Sequence, residues 1–159
     1  MKKSFICYFD MDGVINLFDN DVNARINMWT PGYFLQLPVR EGISEIMARI
    51  NKESYVIIQT KVINRIGVAK EKMEWLNQNI SPHAYSDIIF VPYDNSKSDY
   101  VRPYYPSMII DNSEKNLDEC SKKGCHGLFF SDTQISQKYP YAKTLEDIFT
   151  FYQRLIQRL

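Results

Sequence analysis

The order of apolar runs and amphipathic segments predicts an α/β fold, a Rossmann-like open and mainly parallel sheet. Three observations carry this. Short apolar runs without polar alternation, the mark of strands buried on both faces, recur at 5–9, 55–58, 88–91, 108–110 and 127–130. Segments with helical spacing of apolar residues lie between most of them. The runs at 5–9 and 108–110 also lead directly into aspartates, Asp10 and Asp111, at the strand ends where such sheets gather their ligands.

The first run, "FICYF", enters Asp10, Asp12 and Gly13. Carboxylates are costly to desolvate and repel one another, so a close pair at a strand end marks a cation or a reaction. The same "DMDG" also suits a strand followed by a solvated turn. Residues 14–39, rich in Asn, aromatics and Pro, break the alternation and are expected to project over the strand ends as a small flap or cap on a single domain spanning 1–159.

"EGISEIMARINK" then sets Ile43, Ile46, Met47 and Ile50 on one helical face, and the next strand-like run closes on Thr60. "NRIGVAKEKMEWLNQN", residues 64–79, gives a helix with Ile66, Ala69, Met73 and Leu76 as its apolar positions. After the run at 88–91 comes "VPYDNSKSDYV" with Lys97, and after 108–110 comes Asp111. "SEKNLDECSKKG" begins with Ser113 as N-cap and ends at Gly124, and a last amphipathic helix spans 145–159.

Nineteen Lys plus Arg balance nineteen Asp plus Glu, so no global field exists to attract bulk nucleic acid or an anionic membrane. No apolar run approaches the ~20 residues of a membrane span, and the one near the N-terminus is too short for a signal-peptide core, which leads to an expectation of a cytoplasmic protein. Cys7, Cys120 and Cys125 form no CxxC pair and only two histidines are present, so neither a disulfide framework nor a zinc site is expected. Cys7 reads as a core residue, the others as helix-end residues.

Asp10 and Asp12, Thr60, Lys97 and Asp111 all fall at or just beyond expected strand ends. In that order they resemble the motifs of the haloacid dehalogenase-like (HAD) phosphohydrolases: a DxDG-type first motif, an apolar strand ending in Thr or Ser, a later Lys, and an acidic motif after another apolar strand. The resemblance implies Asp10 as nucleophile forming an aspartyl-phosphate and Asp12 as general acid, then base. It also implies Thr60 and Lys97 as phosphate-binding residues, and Mg²⁺ held by Asp10, the Asp12 carbonyl and Asp111. Singly, Thr60 and Asp111 could serve as caps and Lys97 as a surface lysine, and Lys61 is a rival for the phosphate role. Asn112 departs from the family, which often has a second acidic residue there.

"PVREGISEIMARI", "TKVINRIGVAKEKMEWL", "SKSDYV" and "IIDNSEKNLDEC" further resemble the 5'(3')-deoxyribonucleotidase branch, which implies a small phosphorylated substrate, a nucleotide. Phe18, Trp29, Tyr33 and Phe34 could stack on its base or form the small core of residues 14–39.

Overall fold

The computed structural model describes residues 3–159. Six strands form one sheet: β1 Ile6–Asp10, β2 Tyr55–Val62, β3 Asp87–Pro92, β4 Ser107–Asp111, β5 His126–Phe130 and β6 Tyr141–Ala142. Every pairing is parallel, in the order β3-β2-β1-β4-β5-β6. The chain runs outward from β1 to β3 and then restarts beside β1 with β4. A crevice therefore opens beyond the carboxyl ends of β1 and β4, the place where doubly wound sheets bind ligands.

Alternation along the strands assigns the two faces. Cys7, Phe9, Val56 and Ile58 face the core formed with α2 (Ile43–Glu53), α3 (Val68–Asn79) and α5 (Leu145–Ile156). Ile6, Tyr8, Ile57 and Ile109 face the core beneath α4, Glu114–Ser121, which also takes in Cys120 and Cys125. Asp10 and Asp111 continue the second series, whereas Thr60 continues the first.

Several boundaries differ from the sequence reading. The strand carrying Thr60 does not end there: Lys61 and Val62 still pair with Val91 and Pro92. β6 has only two residues and no apolar run to announce it. Helix α3 starts at Val68 because Gly67 takes φ 88°, a left-handed conformation in which a side chain would be strained. Ile66 consequently lies outside the helix and is 99% exposed, and Met73 is 40% exposed. The buried face of α3 is Val68, Lys72, Trp75 and Leu76.

Between β1 and α2 lie α1, Val22–Asn27, and a 3₁₀ turn, Tyr33–Gln36. Asp21 caps α1 by accepting from the Ala24 amide at 2.7 Å. The segment leaves and returns side by side, with Leu17 N donating to Pro38 O and Arg40 N to Ile15 O. It is fastened to α3: Trp75 Nε1 donates to Leu37 O at 2.7 Å and Gly32 N to Glu71 Oε1 at 2.8 Å. Arg65 pairs with both Glu71 oxygens at 2.8 and 2.9 Å and donates to Met28 O.

The Arg65 hydrogen bonds hold Glu71 below the usual carboxylate range. A carboxylate depressed in the folded state contributes stability above its unfolded pKa and loses it as pH falls through the folded value. Glu71→Gln should therefore lower the unfolding free energy at about pH 7, and the difference should shrink as pH falls through the acid range and Glu71 becomes protonated. Urea titrations over a series of falling pH values check the convergence.

Candidate active site

Asp10, Asp12, Thr60, Lys97 and Asp111, widely separated in the chain, converge at the carboxyl ends of β1, β2 and β4. Lys97 sits in a 3₁₀ turn, Lys97–Tyr100, started by a Ser96 capping box. That turn packs on α4, which brings the side chain in from the α4 face of the sheet. Its buried Nζ donates to Asp10 Oδ1 at 2.6 Å and to Asp111 Oδ2 at 2.7 Å. Lys97, and not Lys61, is thus the lysine that reaches the first aspartate.

Asp111 is fully buried and its oxygens are occupied further. Ser113 N donates to Oδ1 at 2.9 Å and Asn116 Nδ2 to Oδ2 at 3.0 Å. Burial, then the charge of Asp111, pushes the Asp10 carboxyl up to about 7 against the opposing pull of Lys97. Burial alone would lower Lys97, but the charges of Asp10 and Asp111 outweigh it and hold the ammonium above its usual range. Gln59, opposite Asp10 in register, is also buried, and its Oε1 has no hydrogen-bond partner among the described residues.

Asp12 stands beyond the strand in a loop ordered by Asn16, a buried residue the sequence reading passed over. Asn16 Nδ2 donates to Asp12 Oδ1 at 2.9 Å, and its Oδ1 accepts from Gly13 N and Phe18 N at 3.0 and 3.1 Å. Gly13 takes φ 85°, and a Cβ there would lie 2.2 Å from Asn112 Nδ2. Asn112 uses that space to donate to the Asp12 carbonyl at 3.3 Å.

A second buried lysine, also missed, enters from the opposite face. Lys72 Nζ donates to Asp12 Oδ2 at 2.5 Å, Thr60 Oγ1 at 2.8 Å and Lys61 O at 2.8 Å. Its signal was present in the sequence: Val68, Lys72, Trp75 and Leu76 follow helical spacing, so the lysine interrupts an apolar stripe.

Of the four aromatic candidates, Phe34 is 2% exposed and lies under Lys72, whose Nζ is 4.6 Å from the ring centroid. Tyr33 packs edge-on against both Phe34 and Phe18, with centroids 5.4 and 6.3 Å apart. Burial, then the charges of Asp21, Asp12 and Asp19, raises the Tyr33 phenol, so its ring lies within the field of the site. Trp29 stands apart, 51% exposed.

A cavity of about 610 Å³ adjoins the site at Gly13 and Asn112, lined among others by Phe18, Asn20, Asp132 and Gln134. Arg40 bridges its walls: it donates to Gly13 O at 2.9 Å and Val14 O at 2.7 Å and pairs with both Asp132 oxygens.

Among the described residues, no three His, Cys, Asp or Glu side chains form a ready-made metal cage. The donors present nonetheless suit Mg²⁺, which takes oxygen ligands from one or two carboxylates and completes its shell with phosphate and water. Asp10 and Asp111 supply hard oxygens, and when ionised the carboxylates of Asp10, Asp12 and Asp111 exceed the charges of Lys72 and Lys97 by one.

No protein-family model matches the chain, and no curated protein matches it in sequence. Solved structures do match its fold. A D,D-heptose 1.7-bisphosphate phosphatase from B. bronchiseptica, complexed with magnesium and phosphate, superimposes with TM-score 0.66 at 12% identity, over 97% of this chain and 99% of that one. The HAD-hydrolase YfnB from Bacillus subtilis, bound to magnesium, gives 0.67 at 12% identity over 94% and 99%. A haloacid dehalogenase-like hydrolase from Xanthomonas campestris gives 0.67 at 14% identity over 98% and 97%. The fold is therefore that of the HAD-like hydrolases. No helix among the described residues is long and apolar enough to cross a membrane.

Removing one partner of a buried charge cluster leaves the others uncompensated, at a cost of about 3–5 kcal/mol. Lys97→Met should destabilise the protein by about that amount, whereas Lys61→Met should change it by less than about 0.5 kcal/mol. Denaturant unfolding of the two variants measures the difference.

Proposed function

We propose that this protein is a Mg²⁺-dependent phosphomonoester hydrolase that works through an aspartyl-phosphate on Asp10 and acts on nucleoside 5'-monophosphates. The observation that carries the reading is the convergence of Asp10, Asp12, Thr60 and Asp111 around two buried lysines, with Lys97 bridging Asp10 and Asp111. Two like-charged buried carboxylates are expensive to hold together, and phosphoryl transfer needs a nucleophile and a cation site side by side.

Lys97 holds Asp10 Oδ1, which leaves Oδ2 to attack phosphorus. The new O–P bond forms as the bond to the leaving oxygen breaks, and Asp12 gives that oxygen its proton. Asp12 then takes a proton from the water that attacks the aspartyl-phosphate, releasing phosphate and restoring Asp10. Thr60 donates its hydroxyl to the phosphate and Lys97 offsets the charge between it and the nucleophile. Asp10, Asp111 and the Asp12 carbonyl would hold Mg²⁺, which neutralises charge on the transferring group when bound.

The substrate class is supported by the cavity beside Gly13, whose size suits a nucleoside and whose Phe18, Asn20 and Gln134 offer a stacking edge and amides for a base. Residues 14–39 act as the flap over it, with Phe18 available to the base, Tyr33 backing Phe18 edge-on, Phe34 buried behind Tyr33, and Trp29 outside the cavity's lining. Asp19, Asp21, Ser131 and Thr133 in the lining of the same cavity favour a second reading, a sugar phosphate bound through its hydroxyls.

Asp10→Asn should lower turnover by roughly 10³-fold or more with the fold intact. Retention of more than a few per cent of phosphate release by a clean preparation would place the chemistry elsewhere.

Phe18→Ala and Tyr33→Ala should raise KM for nucleoside monophosphates about 5- to 100-fold, the loss of one base stack, with little effect on p-nitrophenyl phosphate. A panel of nucleotides and sugar phosphates measures this. Equal loss for all substrates, or a preference for sugar phosphates, rejects the nucleotide class while leaving the hydrolase standing.

A further inference from the structure

Lys72 is an anomaly on physical grounds. An ammonium in the buried stripe of α3, between Val68, Trp75 and Leu76, carries a large desolvation cost that only good partners offset. Its partners are three acceptors, one for each ammonium proton: Asp12 Oδ2, Thr60 Oγ1 and Lys61 O. The face of the Phe34 ring lies against it as well. With its donors occupied, Lys72 has none left for a phosphate, which separates its role from that of Lys97.

Resting on the hydrolase reading above, we propose that Lys72 is a positioning residue that fixes the general-acid carboxylate of Asp12 against β2. Asp12 is gripped at both oxygens, Oδ2 by Lys72 and Oδ1 by Asn16 at 2.9 Å, so rotation of the carboxylate about its own axis breaks a hydrogen bond whichever way it turns. Thr60 Oγ1 and Lys61 O accept the two other hydrogen bonds of Lys72 and so fix the ammonium itself against β2, and Phe34 from the segment 14–39 packs against it.

The test is a double-mutant cycle of Lys72→Met and Asp12→Asn, read as kcat and KM for a nucleoside monophosphate and for p-nitrophenyl phosphate. A positioned general acid contributes ~10²- to 10⁴-fold, so misplacing it through Lys72→Met should cut kcat for the nucleotide by about 10- to 100-fold. The loss for p-nitrophenyl phosphate, whose leaving group needs no proton, should be under about 5-fold, with KM within about 3-fold for both. In the Asp12→Asn background Lys72→Met should cost less than about 3-fold more, since the group it positions is gone. Circular dichroism and thermal unfolding establish that each variant folds. If Lys72→Met does not, Lys72→Gln, which keeps N–H donors without the charge, decides by the same measurements. Equal losses for both leaving groups, an undiminished loss in the Asp12→Asn background, or a rise in KM at constant kcat overturns the proposal while the hydrolase stands. A native protein that hydrolyses neither ester overturns the hydrolase reading and this proposal with it.

Discussion

Charge balance at the ends of the central strands is the constraint around which this molecule is organised. Asp10 and Asp111 end neighbouring parallel strands on the same face of the sheet, where water cannot screen their repulsion. The fold answers with Lys97, and with amide donors from the first turn of α4 that hold Asp111 still. Asp12 and Thr60 are served separately by Lys72 from α3. Each side of the sheet thus contributes one ammonium, and the elements carrying them are otherwise unrelated in sequence and structure. When all three carboxylates are ionised they still exceed the two ammonium groups by one charge.

Topology explains why these groups can meet. In the order β3-β2-β1-β4-β5-β6 the chain reverses direction across the sheet between β1 and β4, so the loops after those strands diverge and leave the crevice open. Residues 14–39 leave from one wall of this crevice and are fastened to α3 through Trp75, Glu71 and Arg65. Arg40 ties the start of that segment to the loop after β5 through Asp132. The segment is therefore tied to a helix and to a loop on both sides of Asp12.

The sheet and its helices were legible because burial on two faces writes continuous apolar runs, and because caps such as Ser113 have a fixed chemistry. The same logic placed Asp10 and Asp111, which end such runs. Lys72 was obscured by a phase error: counting Ile66 and Met73 as core shifted the helical face, whereas Gly67 delays the helix and moves the buried stripe onto Val68, Lys72 and Leu76. Asn16 left no comparable trace. Its hydrogen bonds join residues within one loop, and an Asn in a loop reads as turn chemistry until the three-dimensional path shows it fully enclosed. β6 is too short to carry a pattern at all.

Gly13 and Asn112 form a lock whose halves are far apart in the chain. The space a Cβ would take at 13 is filled by the amide of 112, and that amide donates to the carbonyl of Asp12. A carboxylate at 112 could offer that carbonyl no proton and would face it oxygen to oxygen, so the residue that departs from the usual acidic pattern is the one this loop accommodates. A side chain at 13 thus meets two barriers, the amide of 112 and a backbone at φ 85°, and shrinking 112 lifts only the first while it takes the donor from the carbonyl. Replacement of the glycine is closed off from both directions, whereas 112 is constrained by the single hydrogen bond it gives.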